Sequence, residues 1–211
     1  MRFIAAAFLA SFALQGVSHA QDNTPSLPNL PALKQIRLGH WDAVVFGDKN
    51  APVVMTEYAS LVCSHCGDFM RNIFPLLKVK YIDTGKVQLH LDSYVLDEFD
   101  VTLNLVARCK DHKTAAQMMK DILSRQNEWM AKGADVANII LSIAEDNGID
   151  NDTFNLCLDN EPLVGHLIER RTEIRNNGTF EGTPAVYING EYVGQPLWEK
   201  IDSMITKALA E

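Results

Sequence analysis

Tyr58-Ala59-Ser60-Leu61-Val62-Cys63-Ser64-His65-Cys66-Gly67-Asp68-Phe69-Met70 joins a strand-forming run to a helical pattern, with two cysteines at the junction. Val53 to Tyr58 is rich in β-branched and aromatic residues and reads as a strand. From Ser64 the apolar period turns helical, with Phe69, Ile73, Leu76 and Leu77 on one face up to Tyr81. A strand that runs straight into a helix places Cys63 and Cys66 at a helix N-terminus. Unpaired backbone amides and the positive end of the helix dipole favour an anion there.

Working outward, Val44-Val45-Phe46 reads as a strand ahead of the turn Gly47-Asp48-Lys49-Asn50. Pro75 interrupts the helical pattern and predicts a kink. Gly85 ends that helix, and Val87-Gln88-Leu89-His90-Leu91 alternates as a third strand. Five helical segments follow: Thr102 to Lys110, Thr114 to Met130, Asp135 to Glu145, Thr153 to Leu158 and Pro162 to Arg175. Gly133 and Gly148 punctuate them, with Asp135 and Asp152 as expected N-caps. Ala185 to Ile188 and Glu191 to Val193 flank Asn189-Gly190, the preferred hairpin dipeptide, and Leu197 to Leu209 is an amphipathic closing helix. The order is β, β, α, β, about seventy helical residues, then β, β, α.

The N-terminus carries Arg2, an apolar run from Phe3 to Val17, and the small-residue end Ser18-His19-Ala20. This pattern predicts a signal peptide over residues 1–20, cleaved before Gln21. The run is shorter than the roughly 20 residues of a membrane span. Residues 21–40, with Pro25, Pro28 and Pro31, read as an extended lead-in. Removing 20 of 211 residues leaves 191 and takes one arginine away, so the net charge moves from −8 to −9. That acidity argues against nucleic acid or an anionic membrane as partner. Export implies an oxidising compartment, in which a cysteine pair needs a reason.

A structural zinc site takes four ligands, usually as two short-spaced pairs, and a second pair is missing. A permanent staple between Cys63 and Cys66 would close too small a loop to restrict the unfolded chain. Disulfide exchange fits better. Cys63 is the expected attacking sulfur and Cys66, one turn in, the resolving one. His65 offers a donor and, when protonated, a charge beside the thiolate.

Cys63-Ser64-His65-Cys66 after a strand, the long helical stretch, and Gly182-Thr183-Pro184 before the last hairpin resemble the DsbA family of periplasmic thiol–disulfide oxidoreductases. One departure is Ser64-His65, where the best-known oxidases have Pro-His. The resemblance implies an α/β thioredoxin fold (residues 41–98 and 176–211) interrupted by a helical domain (99–175). It implies a cis Pro184, with the Thr183 backbone facing Cys63 and pairing with substrate. It also points to Glu57, six residues before Cys63, as a buried acid that takes or relays the Cys66 proton; Lys86 and His90 are candidate partners for it.

In an oxidising compartment Cys109 and Cys157 read as a structural disulfide, and some members of the family carry an extra bond. Closing a loop of about 49 residues is worth roughly 4 kcal/mol in the chain-entropy model. Two buried free thiols are the alternative.

The resulting expectation is a periplasmic, monomeric oxidase without a cofactor. It would act on reduced exported proteins, with a DsbB-like membrane protein as reoxidant. Leu61, Val62 and Phe180 are candidate client contacts. The alternatives are a reductase or isomerase of the same fold, or a copper- or zinc-binding module using Cys63, His65 and Cys66. Met118, Met119 and Met130 read as core or groove filler rather than copper ligands. The acidic run 146–152 reads as a helix stop and cap rather than a calcium loop.

Overall fold

The computed structural model describes residues 39–211. The expected signal peptide and residues 21–38 of the lead-in lie outside the described residues.

Five strands form one sheet in the order β1-β3-β2-β4-β5. They are β1 (Val44–Phe46), β2 (Val53–Ala59), β3 (Val87–Ser93), β4 (Ala185–Ile188) and β5 (Glu191–Tyr192). β2 and β3 run parallel in register from Val53 opposite Val87 to Ala59 opposite Ser93. β1 is antiparallel to β3, and β4 is antiparallel to both β2 and β5. Asn189 and Gly190 both have positive φ, 47° and 85°, which is what a two-residue hairpin turn demands and why Asn-Gly stands there.

The β2–β3 crossover is a composite helix. α1 (Ser64–Asp68) opens into a π-helical turn at Phe69–Ile73, tightens into α2 (Phe74–Leu77), and opens again at Lys78–Ile82. Pro75 lies at the start of α2 and has no N–H for the preceding carbonyls. The expected kink therefore takes the form of a widened turn next to the proline.

The helical insertion comprises α3 (Glu98–Ala107), α4 (His112–Ser124), α5 (Gln126–Trp129), α6 (Val136–Asp146), α7 (Asn151–Leu158) and α8 (Glu161–Arg175); α9 (Trp198–Ala208) closes the fold. Asp97, Asp111, Asp135, Asp150 and Asn160 each cap a helix by accepting a backbone N–H three residues on. Three details depart from the sequence reading. α3 begins at Glu98 because Asp97 caps it, four residues before the expected Thr102. The helix expected over Thr114 to Met130 breaks at Arg125, whose backbone leaves the helical region. The cap of α7 is Asp150, with Asp152 inside the first turn.

One apolar core runs through sheet and insertion. It joins Met55, Leu89 and Leu91 to Phe69 and Leu77 of the crossover and to Met118, Met119 and Ile122 of α4. Met118 and Met119 are core residues; Met130 is half-exposed. Cys109 and Cys157 are bonded, with Cα atoms 5.5 Å apart, and tie the end of α3 to α7. Among the described residues, no helix is long and apolar enough to cross a membrane.

Candidate active site

Cys63 is the N-cap of α1, in extended conformation (φ −80°, ψ 117°). Its carbonyl accepts from the amides of Cys66 and Gly67, both at 3.1 Å, so the first helical hydrogen bonds start on the cysteine itself. Its sulfur is half-buried, whereas Cys66 is wholly buried; both are free thiols. On the facing loop the Thr183–Pro184 peptide is cis, and the Thr183 carbonyl lies 3.3 Å from Cys63 Sγ. The two segments, 120 residues apart in sequence, therefore meet at one sulfur.

Donors surround that sulfur. The Cys66 thiol has the largest effect in lowering the Cys63 pKa, to about 5. Burial opposes it, and the Thr183 hydroxyl and the backbone amides of Cys66 and His65 assist. The Thr183 carbonyl would hold a proton on Cys63, but the donors outnumber that single acceptor. Cys66 moves the other way: burial raises its pKa well above the ordinary value, and its hydrogen bond to Cys63 and the charges of Glu57 and Cys63 add to this. The pair is thus split into an accessible thiolate and a buried thiol.

His65 contributes through its backbone amide. Its ring is 81% exposed and turns toward Asp68, 3.8 Å away. Because α1 has already begun at Ser64, the side chain of His65 projects from the helix surface. Among the described residues, no group of three or more His, Cys, Asp or Glu side chains is placed to hold a metal ion.

Glu57 occupies the core face of β2, where burial alternates residue by residue with Val53, Met55 and Ala59. Its side chain is fully buried, and neither carboxyl oxygen has a hydrogen-bond partner among the described residues. Burial first, and the nearby Cys63 charge second, push its pKa well above the carboxylate range. The expected pairing with Lys86 or His90 is not formed. Glu57 stands opposite Leu91, so His90 projects to the other sheet face, where it contacts Gln88. Lys86 precedes β3 and is exposed. Leu61 is ordinary core; Val62 stays partly exposed, and Phe180 stacks on Tyr94 at 4.5 Å.

Two insertion residues reach the site without having been singled out in the sequence. Asp100 Oδ1 accepts from the Leu61 amide at 3.1 Å, and Gln126 Nε2 donates to the carbonyls of Leu61 (2.7 Å) and Cys63 (3.0 Å). A buried polar residue in a helix leaves no periodic mark, so the sequence pattern marks neither Asp100 nor Gln126.

The thioredoxin family model matches residues 41–207. A Rickettsia conorii relative, provisionally named a protein-disulfide oxidoreductase, is 30% identical over 185 residues, 86% of this chain and 66% of the relative. The chain thus spans slightly less than two thirds of that relative's length. Among solved structures, alpha-DsbA1 of Wolbachia pipientis superimposes with a TM-score of 0.72 at 25% identity, covering 83% of this chain and 95% of that one. A protein-disulfide isomerase from Novosphingobium aromaticivorans shares the fold, with a TM-score of 0.68 at 22% identity over 81% of this chain and 100% of its own. A thioredoxin sheet with a helical insertion, a CxxC pair at a helix start and a cis-proline loop facing it agree with these matches: the chain belongs to the DsbA family of thioredoxin-fold proteins.

Proposed function

We propose that this protein is an exported dithiol oxidase that passes the Cys63–Cys66 disulfide to reduced client proteins. A client thiolate attacks Cys63 Sγ, forming a mixed disulfide and expelling Cys66 as a thiolate. The neutral carboxyl of Glu57 is the proton source for that leaving sulfur. The client's second thiolate then attacks the client sulfur of the mixed disulfide, and Cys63 leaves as a thiolate. Two electrons have moved from client to enzyme, which ends as the dithiol. A DsbB-like membrane protein in the periplasm would return it to the disulfide, and the oxidase would work as a monomer.

The observation that carries this direction is the donor shell around Cys63. A thiol depressed from 9.0 to about 5 stabilises the reduced protein. That stabilisation is complete above the unfolded-state pKa, shrinks as pH falls, and is gone below about 5. At pH 7 it amounts to about 2 kcal/mol once solvent screening of the half-buried sulfur is allowed for. Stabilising the reduced form makes the disulfide a stronger oxidant, by about 40 mV. A reductase would need the opposite bias.

A groove of about 560 Å³ beside the site, lined by His65, Phe69, Thr183, Pro184, Tyr192 and Leu197, has room for an extended client segment. The test is to mix oxidised protein with a reduced, unfolded two-cysteine client and follow loss of client thiols. Stoichiometric transfer is expected, abolished by Cys63→Ser. Transfer that runs only from reduced enzyme to oxidised client would overturn the reading.

A further inference from the structure

We propose that Gln126 is a positioning residue of the redox site: its carboxamide, carried by the insertion, holds the Leu61 and Cys63 carbonyls and so fixes the turn that aims the first amides of α1 at the Cys63 sulfur. This rests on the reading of Cys63 as the nucleophile.

Three observations converge. The residue is buried, 1% exposed, and its two donor contacts, 2.7 and 3.0 Å, both end on the segment leading into Cys63. The other side of the same segment is held by Asp100, whose carboxylate accepts from the Leu61 amide. Both polar groups of Leu61, and the carbonyl of Cys63, are therefore satisfied by insertion side chains. Within the turn the bonds are short-range, from Val62 N to Ser60 Oγ and from Cys63 N to Ser60 O, each 3.2 Å, and the Ser60 hydroxyl is again tied to Asp100.

Gly67 is the third observation. It sits within α1, where glycine costs about 1 kcal/mol relative to alanine. Its φ is not positive, so backbone conformation does not require it. A Cβ there would overlap Gln126 Oε1 and Cδ and press on an Arg71 guanidinium nitrogen. Arg71 is itself fixed, by the Leu123 carbonyl at 3.1 Å and Asp68 at 2.7 Å. The glycine makes room for the carboxamide.

The consequence for chemistry follows from the N-cap geometry. The Cys63 carbonyl receives the Cys66 and Gly67 amides as well as Gln126 Nε2. Holding that peptide plane keeps the amides of His65 and Cys66 directed at the sulfur. Freed from Gln126, the plane can tilt, and the thiolate loses donor alignment while the thiol loses little.

Gln126→Met keeps length and removes both donors; Gln126→Glu keeps shape, removes the donors and adds a negative charge. The reduced proteins are titrated through the ultraviolet absorbance of the Cys63 thiolate, and melting is recorded in both redox states. The acid dissociation constant of Cys63 is expected to fall about 3- to 10-fold in Gln126→Met, and further in Gln126→Glu. The reduced form should lose more stability than the oxidised form. Equal loss in both redox states with an unchanged dissociation constant would mean that Gln126 merely packs, and overturns the proposal. Should Gln126→Met not fold, Gly67→Ala carries the test: it retains the carboxamide but displaces it, and the same fall is expected, an unchanged constant being the contrary result. An ordinary thiol pKa in the unsubstituted protein would instead sink the oxidase reading, so the two failures are distinguishable.

Discussion

Replacing Cys66 with alanine is expected to abolish dithiol oxidation and to raise the pKa of Cys63 from about 5 to between about 6 and 7. Loss of turnover follows because the transferable disulfide no longer exists. The acidity change follows because the Cys66 thiol is the largest single influence lowering the Cys63 pKa. A hydrogen bond to a charged acceptor is worth about 1.5–3 kcal/mol, or about one to two pKa units. Partial exposure of Cys63 to solvent favours the lower half of that range. Cys66→Ser separates the two effects: exchange is lost equally, but the hydroxyl still donates, so Cys63 should remain near its original acidity. The rate of alkylation against pH reports both variants. If alanine and serine titrate alike, the donor account of the thiolate is wrong.

The second large effect concerns Glu57. Glu57→Leu is expected to stabilise the fold by about 2 kcal/mol while slowing the step that moves the Cys66 proton by about 10²-fold. Both follow from the same burial. A carboxyl group with neither oxygen bonded costs free energy that an apolar side chain of similar volume does not. Its proton, held well above the usual range by burial, is what makes it useful to a buried thiol. The sign of the pH dependence is fixed. The folded protein keeps this proton where the unfolded chain, titrating near 4.5, has lost it. The Glu57 contribution to stability therefore falls as pH rises above 4.5, opposite in sign to that of the Cys63 thiolate, and the advantage of Glu57→Leu over its parent widens over the same window. Denaturant melts at several pH values measure this. A leucine variant less stable than its parent across the range would contradict it, and point to a hidden partner for the carboxylate.

Much of the architecture was legible because it rests on local rules. The period change at Ser64, the Asn189-Gly190 turn and the aspartates ahead of helices act within a few residues of themselves. They placed all five strands and the crossover helix close to their observed limits. The early start of α3 is a local signal that went unread, the Asp97 cap; the other two failures come from choices between neighbours that a local pattern does not decide. Asp150 and Asp152 are both able caps, and the helix starts on the first, whose side chain accepts from the Thr153 amide, while Cys157 near its end is bonded to Cys109. The apolar pattern from Thr114 to Met130 is continuous, yet the chain breaks at Arg125. Trp129 then packs back with its indole nitrogen donating to the Ile122 carbonyl at 2.9 Å.

At the site, the cysteines could be read from motif and order, and Pro184 and Glu57 from the family resemblance that the motif and the order carry. His65 shows the limit of such reading. Its place between the cysteines suggested an imidazole beside the thiolate, but the helix turns the ring outward and leaves the amide to face the sulfur. Gln126 could not be read at all. Its purpose exists only where the insertion folds back over the turn before Cys63.

The most direct measurement is titration of Cys63 in the reduced protein, read by thiolate absorbance or by alkylation rate. A single transition near pH 5 is predicted, with Cys66 silent through neutrality because burial holds its proton. A transition near 8.5, where a free cysteine ionises, would contradict the account, since neither the helix start nor the neighbouring thiol would then be stabilising the anion.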